Sequence, residues 1–102
     1  MNQRAPIHFS VYPGTDRAFE LSKDIYQKDD AQKVLVFNCL NNSLFEIYGP
    51  AVASWKLLEQ GHSFNKIAII LAFEFDVSID VISAEMEKFF GQLLELNIIR
   101  EK

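Results

Sequence analysis

"LFEIYGPAVASWKLLEQG", running from Leu44 to Gly61, changes its period in the middle. Leu44 to Tyr48 is rich in aliphatic and aromatic residues. As a strand it places Phe45 and Ile47 on one face and Leu44, Glu46 and Tyr48 on the other. Gly49 and Pro50 then punctuate the chain. Proline suits the first position of a helix, because its fixed φ matches the helix and its missing N–H has no partner to lose there. From Pro50 onward Val52, Trp55 and Leu58 or Leu57 fall on one helical face, and Gly61 terminates the run. A strand therefore passes into a helix with almost no loop between them.

Upstream, "KVLVFN" (Lys33 to Asn38) is a second apolar run, joined to Ser43–Tyr48 by the Asn-rich turn "CLNN". Before it "FELSKDIYQ", from Phe19, alternates in part, which makes it the first strand and "QKDDAQ" the first turn. The expectation is a three-stranded antiparallel meander. Downstream, Ser63 can cap a helix over "FNKIAIILAFEF", whose apolar residues nearly encircle it and predict a central, buried position. Ser78 can cap a last helix, "IDVISAEMEKFFGQLLELN", with Asp80 near its positive end and Asn97 as a left-handed terminator. The fold class is α+β: a three-stranded antiparallel sheet followed by three helices, a winged-helix-like order. Residues 1–17, mixing Pro, Gly and polar types without a sustained period, are expected to be a loosely held arm, and residues 18–102 the domain.

The last helix is broader than it needs to be. At about 100° per residue Ile82, Met86, Phe89, Leu93 and Leu96 make a core stripe, while Phe90 and Leu94 extend the apolar arc to roughly 160°. The arm, the first strand or a partner must cover the excess.

Composition narrows the function classes. A chain of 102 residues with 49% hydrophobic residues supports one modest core. No apolar run approaches the roughly 20 residues of a membrane span, and the N-terminus lacks signal-peptide order, so a cytoplasmic protein without membrane contact is expected. The single cysteine, Cys39, excludes an internal disulfide and a cysteine-based zinc site, and is expected to be a buried or half-buried inert thiol. A net charge of −4, with one Lys and no Arg on the second helix, argues against nucleic acid. His8 and His62 have no partner at metal or triad spacing, Asp29-Asp30 falls in an expected turn, and no glycine-rich phosphate loop is present. Neither catalysis nor a cofactor or metal is expected of this chain alone.

One resemblance adds to this reading. "SLFEIYGPAVASWKLLEQGHS" followed by "DVSIDVISAEMEKFFGQLLELNIIR" resembles the PqqD-like family, the pyrroloquinoline quinone biosynthesis D proteins and their relatives, over about Phe19 to Arg100. Ile47-Tyr48 stands where the family has Leu-Asn, Gln60-Gly61 where it has Asp-Gly, and Asn97 replaces a glycine. The resemblance implies a recognition element for ribosomally made peptides. It would bind the leader of a precursor and deliver it to a modifying enzyme such as a radical SAM maturase, a cyclase or a leader peptidase. It further implies that the leader adds as a strand along Ser43, Leu44, Phe45, Glu46, Ile47 and Tyr48, in a groove whose far wall is Ser83, Met86, Glu87, Phe90 and Leu94. Two alternatives stand beside it: a winged-helix DNA-binding regulator, for which a basic face is lacking, and a self-associating structural module, a homodimer through the open strand.

Overall fold

The structure, a computed structural model, describes residues 16–30 and 32–102. Its element order is β1 (Phe19–Leu21), β2 (Ile25–Asp30), β3 (Lys33–Asn38), β4 (Ser43–Tyr48), α1 (Pro50–Glu59), α2 (Phe64–Phe75), α3 (Ile79–Glu95) and β5 (Ile99–Glu101). The expected antiparallel three-stranded sheet is β2-β3-β4, and three helices follow it. The expected arm lies almost wholly outside the described residues.

Two boundaries differ from expectation. The run taken as one first strand is two strands, and Gln27 to Asp30, expected in a turn, belong to β2, which pairs with β3 up to Asp30↔Lys33. Phe19–Leu21 instead pairs antiparallel with β5, with Phe19 opposite Glu101, in a second, two-stranded sheet that the sequence pattern did not announce. Lys102 donates its backbone N–H to the Ala18 carbonyl at 2.9 Å, and Arg100 reaches Glu20 at 2.6 Å. This small sheet carries Phe19 and Ile99 into the core.

The core lies between the inner face of the three-stranded sheet and the helices. Val34, Val36 and Ile47 project from the sheet onto Trp55 and Leu58 of α1, Phe64, Ile67 and Leu71 of α2, and Met86, Phe90 and Leu93 of α3. The helix ends are as read from the sequence. Ser63 and Ser78 accept hydrogen bonds from the backbones of Lys66 and Val81, and Asn97 adopts a φ of 58° after α3. Contrary to expectation, α2 is not central: Ile69 and Phe73 on its outer side are exposed, because no layer packs beyond it among the described residues. Cys39, in the β3–β4 turn, is exposed rather than buried.

Asn38 sets the position of α3 against the sheet. Its buried amide donates to the carbonyls of Leu96 and Asn97, both at 3.1 Å, and its Oδ1 accepts from the Leu40 backbone at 2.9 Å. The carbonyls at a helix C-terminus have no partner within the helix, so one buried side chain both satisfies them and ties α3 to the hairpin.

Candidate functional site

β4 ends one side of the three-stranded sheet, with no strand beyond it among the described residues. Its alternation is the one expected: Ile47 is buried and Phe45 half-buried, while Leu44, Glu46 and Tyr48 are exposed. The chain leaves this edge abruptly. Gly49 takes φ 58° and ψ −140°, a backbone conformation that residues with a Cβ rarely adopt. Pro50 then opens α1, and the Val52 N–H bonds the Gly49 carbonyl at 3.0 Å. The turn sends α1 onto the inner face of the sheet and leaves the outer edge of β4 without a neighbour strand among the described residues.

Beside the last residues of β4 a groove of about 570 Å³ runs between the start of α1, the end of α2 and α3. Pro50, Ala51 and Ser54 come from α1, Leu71 and Phe75 from α2, Val77 from the α2–α3 turn, and Val81, Ile82, Glu85, Met86, Lys88, Phe89 and Gln92 from α3. The Asp76 backbone at φ 55° ends α2, and Val77 bonds the Ala72 carbonyl at 3.1 Å; Phe75 and Val77 are thereby held at the rim, both exposed. The volume falls within the range of about 300–1,000 Å³ usual for ligand pockets.

The residues of the expected far wall divide between the core and the surface. Phe90 is 2% exposed and packs edge-to-face on Phe19 at 5.2 Å and on Phe64 at 5.4 Å, so it is a core residue. Ser83 and Met86 are buried with it, Leu94 is half-buried and Glu87 is exposed; of these, Met86 alone lines the groove. On the strand side Tyr48 reaches it directly. On α3 the groove is lined by Ile82, Glu85, Phe89 and Gln92, and Phe89 stacks on Phe45 of β4 at 6.4 Å. A signal for this was present: Ser83, Met86, Phe90 and Leu93 follow helical spacing without a charged member, the pattern of an inward face, whereas Ile82, Glu85, Phe89 and Gln92 mix polar and apolar types.

Electrostatics along β4 are local. Glu46 accepts hydrogen bonds from the Tyr48 hydroxyl and from Lys33 Nζ, the latter at 3.3 Å, while Lys33 lies 5.9 Å from the centre of the Tyr48 ring. The Tyr48 hydrogen bond and then the Lys33 ammonium hold the Glu46 carboxyl below the usual carboxylate range. The same hydrogen bond raises the Tyr48 phenol. The strand's one acid is thus already partnered. Among the described residues no cluster of His, Cys, Asp and Glu could hold a metal ion, and no helix is long and apolar enough to cross a membrane.

No protein-family model matches this chain, and no curated protein does. A solved structure of TbiB1 in complex with the TbiA(beta) leader peptide does match, with a TM-score of 0.76 and 16% sequence identity, over 79% of this chain and 94% of that one. This chain shares the TbiB1 fold. TbiB1 was solved holding a leader peptide.

Proposed function

We propose that this chain is a non-catalytic adaptor that binds the leader of a ribosomally synthesised precursor peptide and presents it to a separate modifying enzyme, a radical SAM maturase, a cyclase or a leader peptidase. The observation that carries the reading is the bare, largely apolar edge of β4 beside the α3 groove. A likeness of fold to a protein solved with a leader peptide supports it. An extended peptide laid antiparallel or parallel to β4 gains main-chain hydrogen bonds that are indifferent to sequence, and its alternate side chains enter the groove, where selectivity arises. Binding of this kind needs no catalytic group on the adaptor.

The test is a titration of ¹⁵N-labelled protein with the leader segment of a small peptide encoded beside its gene. Amide shifts concentrated in Ser43–Tyr48 and around Ile82, Glu85 and Phe89 are expected. Phe89→Asp should weaken binding about tenfold or more, since it places a charge in an apolar groove, while Glu87→Ala leaves affinity unchanged. Absence of shifts at high peptide concentration, or a symmetric strand-to-strand dimer that persists with peptide present, would replace the adaptor by the self-associating module.

A further inference from the structure

Strand pairing determines which backbone groups of β4 face its free edge. Cys39 donates its N–H to the Asp24 carbonyl at 3.0 Å, so the odd-numbered residues of β3 turn their backbone groups to β2. By alternation Val34, Val36 and Asn38 turn theirs to β4, where their partners are Ile47, Phe45 and Ser43. The N–H and C=O groups of Leu44, Glu46 and Tyr48 therefore face outward, with no strand beyond them among the described residues. Side chains directly across from one another share a face of the sheet whichever way the strands run. A peptide strand added here sets every second side chain on the outer face, beside Leu44, Glu46 and Tyr48, and the others on the inner face.

Main-chain bonds do not fix the position of such a strand, because a slip of two residues restores the same faces. The side chains of the outer face do differ along β4. Tyr26, Phe37 and Leu44 are partners across the three strands and form an apolar row, 66%, 36% and 62% exposed. The next row is Lys28, Leu35 and Glu46, and the third is Asp30, Lys33 and Tyr48. All the charges of these rows lie off the first. The one on the edge strand is the Glu46 carboxylate, with its partner Lys33 one strand farther in.

Resting on the leader-binding reading above, we propose that Leu44, backed by Phe37 and Tyr26, is a specificity-determining residue that sets the register of the leader: the leader residue across from it is aromatic or aliphatic and becomes the fourth member of the row. A slip of two in one direction carries that side chain across from Glu46. A slip in the other carries it past Ser43 to the turn at Asn42, whose φ of 57° is not that of a strand. An acid two residues along, across from Glu46, makes a like-charge pair and is selected against.

The probe is the leader segment of the small peptide encoded beside the gene, bound to the full chain. Nuclear Overhauser contacts between backbone protons identify the leader residue across from Leu44, which should be apolar. Serine in its place should weaken binding about two- to fivefold. Leu44→Thr, an exposed change that keeps strand propensity, should leave the melting temperature in place and weaken the unaltered leader by a similar factor. Combined, the two changes should cost little more than either alone. Phe37→Thr, which leaves the edge strand untouched, should show the same coupling in weaker form. A polar or charged residue across from Leu44, or losses that multiply when the leader change is combined with Leu44→Thr, would overturn the row as a register device while shifted β4 amides keep the adaptor reading. Silent β4 amides would overturn the adaptor reading and the row with it.

Discussion

β2 and β4 border the same three-stranded sheet, yet their side chains finish the two edges in opposite ways. β2 carries Lys28, Asp29 and Asp30, and side chains along it are tied to α1. Gln27 accepts from the indole N–H of Trp55 at 2.9 Å and donates to Glu59, and Asp29 receives Lys56 at 2.8 Å. Charge and cross-links of this sort discourage another strand. β4 carries Leu44, Phe45, Ile47 and Tyr48; its single carboxylate is held by Lys33 and Tyr48, and a groove opens beside it. Backbones at the two edges offer the same donors and acceptors. Side chains decide which edge is available.

The largest effect should come from the anchor of the closed side. Trp55 is fully buried, so Trp55→Ala should cost about 3–5 kcal/mol in denaturant unfolding, and it also removes the indole that holds Gln27. Next is the support of the open side. Asn38→Ala should cost about 1–3 kcal/mol, because it takes the Asn38 partner from the Asn97 carbonyl and the Leu40 N–H, while the Leu96 carbonyl keeps Asn41. If α3 also sets the groove, leader affinity should fall in a variant that is still folded at low temperature.

A more direct exchange of character is Leu44→Lys, which gives β4 the kind of residue that protects β2. Its side chain is exposed, so stability should change by no more than about 0.5 kcal/mol. Leader affinity, measured by calorimetry, should fall about tenfold; unchanged affinity would mean that edge charge does not distinguish the strands.

The smallest effect concerns acid. Because the folded state lowers the Glu46 carboxyl, chiefly through Tyr48 and then Lys33, its contribution is present above the ordinary carboxylate range and disappears as pH falls through the lowered value. Melting temperatures of wild type and Glu46→Gln should therefore converge as pH falls through that range. A constant gap would show that the carboxylate contributes nothing as an ion.

Several features of this molecule were legible from short range. The alternation of Ser43–Tyr48, the Gly49-Pro50 turn into α1, the serine caps at Ser63 and Ser78 and the left-handed Asn97 depend on residues within a turn or two of each other, so the sequence by itself determined them. Other features waited on the tertiary structure. β1 left the expected first strand because its partner, β5, lies 80 residues away at the Glu20–Arg100 pair. No local period records that pairing. Phe89 and Phe90 differ by about 100° around one helix, and both are aromatic; contacts decided between them, with Phe19 and Phe64 enclosing Phe90 and Phe45 meeting Phe89. The groove exists only where the start of α1, the end of α2 and one face of α3 converge, and that convergence follows from packing a single core rather than from any one segment.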